Sequence, residues 1–94
     1  MAELLRRDYA AEKIWLFGSH ARGTADEASD VDLLVISPTT EKFFDRMATV
    51  RRLLRNQRSG SSISPIVLTP EELEARLRKG DQFFAGIVET GLEL

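Results

Sequence analysis

Two carboxylates two residues apart, Asp30 and Asp32, open the run Asp30-Val31-Asp32-Leu33-Leu34-Val35-Ile36. Side chains alternate along a strand, so both acids project from one face while Val31 and Leu33 project from the other. The rest of the run is almost wholly apolar, the pattern of a strand covered on both faces. Like charges this close repel, and uncompensated charge at the mouth of a buried strand costs roughly 3–5 kcal/mol. A bound divalent cation is the most economical compensation, which makes Asp30 and Asp32 candidate metal ligands. The competing reading is structural: Asp30 caps a turn and Asp32 is solvated at a strand end.

A second group lies upstream, in Trp15-Leu16-Phe17-Gly18-Ser19-His20-Ala21-Arg22-Gly23. An apolar strand here runs into a glycine turn, a hydroxyl and a short helix. Gly18 can take a positive φ and lets a ligand approach the backbone. Ser19 stands where an N-cap would, so its hydroxyl and the first helical N–H groups converge on one spot. Such a spot suits phosphate oxygens. Arg22 either reaches that phosphate or braces the adjoining loop against Asp26, Glu27 or Asp30. A phosphate cradle shortly before a carboxylate pair suggests a nucleoside triphosphate held through Mg2+.

Gly18-Ser19, Ala21-Arg22-Gly23 and Ser29-Asp30-Val31-Asp32-Leu33 together resemble the signature of the DNA polymerase β-type nucleotidyltransferase superfamily, and within it the minimal nucleotidyltransferases. The resemblance implies a small mixed β-sheet with helices, the palm-like fold of that superfamily, formed by residues 1–94 as one domain. It implies catalysis by Asp30 and Asp32 as Mg2+ ligands, with Gly18, Ser19 and Arg22 on the nucleotide. ATP is the expected substrate, its NMP passing to a hydroxyl on a partner protein. Active members also use a third carboxylate from a later strand. Aligned on Thr69-Pro70-Glu71-Glu72, that position falls at or beside Ser64, in Ile63-Ser64-Pro65-Ile66-Val67, where there is no acid. The alternative is therefore an antitoxin-like module, weak or inactive in catalysis, that binds a helical HEPN-type partner or a second copy of itself.

Composition bounds the rest. Ninety-four residues suffice for a single modest core. A net charge of −2 gives no general attraction to nucleic acid. The absence of cysteine excludes disulfides, zinc–thiolate sites and a thiol nucleophile. No apolar run approaches the ~20 residues of a membrane span, and the first residues lack the apolar core of a secretory signal. A soluble, cytoplasmic protein is expected.

Periodicity marks the elements that must position these groups. A short helix is expected over residues 2–9, strands over 13–17 and 30–36, and a long helix from about Thr40 to Gln57. Its apolar stripe is Phe43, Met47, Val50 and Leu54, widened by Phe44 and Leu53. Lys42, Arg46, Arg51, Arg52, Arg55 and Arg58 make its remaining surface basic, a solvated face or a dock for an acidic partner. Ser59-Gly60-Ser61-Ser62 reads as a loop. A third strand, Ile63 to Leu68, contains Pro65, which favours a sheet edge or a bulge. Thr69, Pro70 and Glu72 form a capping box with proline at N1. Gly80 then breaks that helix, and Asp81 to Glu89 restarts it. Helices alternating with three strands indicate an α/β sandwich.

Overall fold

A computed structural model of the chain describes residues 1–25, 30–55 and 62–94. The expected helix end at Gln57, Arg58, the Ser59–Ser61 part of the predicted loop, and the Asp26, Glu27 and Ser29 positions lie outside the described residues.

The strand rich in Val, Leu and Ile is the middle of the molecule. β2 (Val31–Ile36) lies between β1 (Lys13–Phe17), antiparallel to it, and β3 (Ile63–Leu68), parallel to it. A fourth strand, β4 (Leu92–Glu93), pairs antiparallel with the free side of β1 and is not expected from the sequence. Two residues are too few to show a period-2 pattern. The sheet order is β3-β2-β1-β4, so the sheet is mixed.

Every residue of β2 except Asp32 is buried. On one face Val31, Leu33 and Val35 pack with Ile14, Val67, Leu5 of α1 (Ala2–Asp8), and Val50 and Leu54 of and after α3 (Phe43–Leu53). On the other, Leu34 and Ile36 pack with Trp15, Leu68, and Phe84 and Ile87 of α5 (Gln82–Thr90). Leu73 of α4 (Pro70–Arg78) joins that second cluster. Helices therefore cover both faces of the sheet, the α/β sandwich expected from the alternation of elements. Among the described residues no helix is long and apolar enough to cross a membrane.

β3 is an edge strand, and its backbone shows why Pro65 is tolerated. Val31 N–H donates to the Ser62 carbonyl and Ser37 N–H to the Leu68 carbonyl. Even-numbered residues of β3 thus turn their backbone groups toward β2, and odd-numbered ones, Pro65 included, turn theirs to the open edge. The missing proline N–H breaks no ladder bond. Pairing runs unbroken from Val31↔Ile63 to Ile36↔Leu68, so there is an edge and no bulge.

Two outward carbonyls of that edge are taken by arginines of α3. Arg46 Nη1 donates to Val67 O at 3.2 Å and Arg51 Nε to Ile63 O at 3.2 Å, pinning the helix along β3 at both ends. Edge strands need such cover. The Arg46 guanidinium also meets Glu72, at 2.6 Å and 3.3 Å, and its Nε donates to Glu41 O at 2.9 Å. Helical periodicity puts Arg46 on a solvated basic face, but it is buried, with 9% of its side chain exposed. Phe43, expected in the apolar stripe, is instead 43% exposed, and Phe44 is 80% exposed. Arg46, Val50 and Leu54 face inward, and Phe43 is exposed although it lies on the same side, because it is the first residue of the helix. The Glu41 carbonyl before α3, and the Val67 carbonyl and Glu72 carboxylate at the β3–α4 junction, supply what a buried guanidinium needs.

Glu72 also completes the predicted capping box: its Oε1 accepts from Thr69 N–H at 2.8 Å, and Glu72 N–H donates to Thr69 Oγ1 at 3.2 Å. α4 ends before Gly80, whose φ is +77°, and Asp81 caps α5 by accepting from the Phe83 and Phe84 amides.

The hydrogen bond from Arg46, reinforced by the Thr69 amide, holds the Glu72 carboxyl below the usual carboxylate range. Its contribution is complete above the ordinary glutamate pKa and is lost as pH falls through the lowered value. Glu72→Gln is expected to cost about 1–2 kcal/mol at pH 7, discounted because 43% of the Glu72 side chain is exposed. Thermal melting from pH 7 down to pH 3 should show the gap between wild type and variant closing below about pH 4. A constant gap would mean that Glu72 acts by shape and not by charge.

Candidate functional site

The end of β1, the start of β2 and the start of β3 meet at one end of the sheet, and the acids singled out by the sequence lie there. Asp32 is paired with Phe17 on one side and with Ser64 on the other. Cross-strand partners share a face, so Asp32 and Ser64 stand side by side. Asp30 immediately precedes β2 and is exposed, and Asp32 is half-buried.

Gly18 comes directly after Phe17 and adopts φ +74°, ψ −150°, a region essentially confined to glycine. Its Cα lies against the Asp32 carboxylate: a methyl group added there would stand 2.3 Å from Asp32 Oδ2. Glycine is thus required twice, for its backbone angle and for the space the carboxylate takes. In consequence Gly18, not Ser19, is the N-cap of α2 (Ser19–Arg22), and among the described residues no side chain caps its N-terminus. Ser19 is its first residue, one position further in than the sequence suggests. Gly23, with φ +75°, ends the turn as expected, and Arg22 N–H donates to Gly18 O at 3.1 Å. The Arg22 side chain is exposed. Two of its expected bracing partners, Asp26 and Glu27, lie outside the described residues.

On the β3 side the sheet opens into a cavity of about 480 Å3. Asp30, Ser62 and Ser64 line it together with Arg51 and Arg55, and Leu54 and Ile63 form its apolar part. Ser64 belongs to one face of the sheet and Ile63 to the other, so the cavity wraps around the edge where β3 begins. In the sequence, Arg51 and Arg55 stand out only as members of a basic helix surface. Their spacing of four residues is the available signal, because it places both side chains on one side of the Val50–Leu54 core stripe.

The residues present test the metal expectation directly. Among the described residues no group of three or more His, Cys, Asp or Glu side chains could hold a metal ion. A cage made by this part of the chain alone is therefore absent. Mg2+ commonly binds through one or two carboxylates plus substrate phosphates, and Asp32 against the Gly18 turn, with Asp30 two residues before it, fits that mode.

Residues 1–88 match the family model described as the nucleotidyltransferase domain. The chain belongs to the nucleotidyltransferase domain family. A protein of Methanocaldococcus jannaschii named "putative protein adenylyltransferase" is 47% identical over 84 residues, covering 86% of this chain and 55% of the relative. The chain therefore spans about half the length of that curated relative. The crystal structure of a "putative nucleotidyltransferase" from Sulfolobus solfataricus superposes with a TM-score of 0.54 at 30% identity, over 79% of this chain and 64% of the other. A toxin–antitoxin crystal structure with AMP-PNP shares the fold with a TM-score of 0.51 at 21% identity, over 95% of this chain and 79% of the other. The palm-like nucleotidyltransferase fold expected from the motifs is the fold observed.

Within this family member, the contact between Gly18 and Asp32 is open to test. Gly18→Ala is expected to cost about 1–3 kcal/mol through its backbone angle alone, with displacement of the carboxylate in addition. In an Asp32→Ala background the displacement disappears and the backbone cost stays, so the substitution should be cheaper there. A double-mutant cycle by denaturant unfolding measures the difference. Strict additivity would mean that glycine and carboxylate do not meet.

Proposed function

We propose that residues 1–94 form one catalytic domain that binds a nucleoside triphosphate, ATP by preference, with Mg2+, and passes its NMP to a hydroxyl on a partner protein. The observation that carries this reading is the seat of the Asp32 carboxylate against Gly18, which brings the acid and the glycine turn to one point. Asp30 and Asp32 would hold the metal. The Gly18 and Ser19 amides, with the Ser19 hydroxyl, would receive phosphate oxygens, and Arg22 stands one turn away to pair with them. When bound, the metal supplies neutralisation of phosphate charge. The chain's own contribution is position: a rigid central strand fixes Asp32, and the glycine turn fixes the phosphates relative to it. The adenylyltransferase name of the Methanocaldococcus jannaschii relative supports ATP as the nucleotide.

A second reading is binding to a helical HEPN-type partner without transfer. One observation favours it: Ser64, not an acid, is the register partner of Asp32. A third carboxylate there would have served as metal ligand and base.

Thermal melting tests the nucleotide binding that the first reading requires, and incorporation of labelled nucleotide separates transfer from binding alone. Mg2+ and ATP together are expected to raise stability by more than the sum of their separate effects, about 2.7 kcal/mol at a hundredfold excess over Kd. Asp32→Asn should abolish the joint effect while leaving the free protein folded. No joint shift in the wild type at millimolar ligand would refute nucleotide binding through the metal. Ser64→Asp, placed beside Asp32, should raise Mg2+ affinity and any transfer of labelled nucleotide. Unchanged affinity would show that position 64 does not face the metal.

A further inference from the structure

Phosphates on the Gly18 turn would occupy only one flank of Asp32. Gly18 comes at the end of β1, on one side of β2, and Ser64 lies in β3, on the other. Among the described residues the β3 flank is the side left to a second substrate, and it holds the cavity of about 480 Å3. Its lining carries both signs of charge: Asp30, just before β2, Arg51 from the last turn of α3, and Arg55 just beyond that helix. The bond from Arg51 to Ile63 O uses Nε, which fixes the guanidinium at the cavity wall. Arg52, in the same basic run, bonds instead to Thr49 Oγ1 at 3.3 Å and takes no part in the lining.

We infer that this cavity is the acceptor subsite and that it selects an acidic segment, a peptide whose accepting hydroxyl is flanked by carboxylates. The inference rests on the nucleotide reading for the role of the second substrate. Guanidinium groups match carboxylates in geometry as well as in charge. The chain as a whole is negative, with a formal charge of −2, so only a local positive site draws an acidic partner in. Ser62 and Ser64 add hydroxyls that can bond either to the peptide backbone or to its acids. In the transfer, the acceptor oxygen bonds to the α-phosphorus as the bond to pyrophosphate breaks. Pyrophosphate leaves with the electron pair, and the hydroxyl proton passes to water.

The test needs no nucleotide. Three fluorescent peptides share a central serine and differ in flanks of Glu, Gln or Lys, and anisotropy reads their binding in metal-free, low-salt buffer. The Glu peptide should bind about tenfold more tightly than the Gln peptide, the worth of two partly screened charge pairs, and the Lys peptide most weakly. The advantage should shrink at high salt. Asp30→Asn should tighten the Glu peptide further by removing a like charge from the wall. The double variant Arg51→Glu, Arg55→Glu should reverse the order of preference. Should that variant fail to fold by circular dichroism, Arg55→Gln, beyond the end of α3, should still weaken the Glu peptide several-fold. Equal affinities for the three peptides, or a preference untouched by Arg51 and Arg55, would overturn the inference. So would inorganic pyrophosphate binding through these arginines with no peptide preference, which would assign them to phosphate. A joint Mg2+–ATP melting shift without peptide selectivity would sink only this inference. Selectivity without the joint shift would sink the nucleotide reading.

Discussion

The register of β2 is the constraint on which the site depends. Five of its six residues are buried, and its neighbours pair with it without a break on both sides. A slip of one residue against β1 or β3 would turn Val31, Leu33 and Val35 out of one core and Leu34 and Ile36 out of the other. It would also carry Asp32 away from Gly18. Burial of hydrocarbon thus holds a carboxylate in place, and no polar contact of Asp32 itself is required to do so. The strand can be rigid because it carries almost no polar burden, and the single exception is the functional candidate.

The same end of the sheet is shaped by two further devices of different kind. Gly18 solves a local problem, since a chain leaving β1 must turn beside the Asp32 carboxylate with no room for a side chain. The arginines of α3 solve a tertiary one. Arg46 and Arg51 reach the outward carbonyls of Val67 and Ile63, so the helix lies along the open edge of β3 and is held at both ends. Glu72 neutralises Arg46 while capping α4, so one carboxylate joins α3, β3 and α4. That junction lies at the far end of β3 from the cavity. It nonetheless sets where Arg51 and Arg55 stand, because a helix pinned over Val67 must pass Ile63 one and a half turns later.

The legible parts of this structure are those decided by nearby residues. The glycine turn, the buried strand, the capping box at Thr69 and the break at Gly80 each depend on a few neighbours and a known local geometry. Pro65 marks an edge because a missing N–H has few places to go. The features that local pattern misplaces depend on what lies across space. Arg46 reads as a surface residue until the carbonyls and carboxylate facing it are known. Ser19 reads as the cap of its helix because a serine is the commoner cap. Only the Asp32 carboxylate, arriving from another strand, shows why glycine holds that position. At the site, Gly18, Asp30 and Asp32 can be chosen from type and spacing. The cavity arginines cannot, since their use depends on where β3 begins.

The serine at position 64 gives the site its character. With an acid there, three carboxylates would converge and could bind a metal by themselves, at the cost of strong mutual repulsion in its absence. With serine the start of the sheet carries less negative charge, and any metal held by Asp30 and Asp32 must find its remaining ligands in phosphate and water. Metal and nucleotide affinities would then be linked, each low without the other. The same change frees the β3 flank, because a small hydroxyl leaves room where a carboxylate would project toward the cavity. A serine in place of an acid thus lowers the negative charge beside Asp32, and the positive charge of Arg51 and Arg55 lies on that same side, around the start of β3.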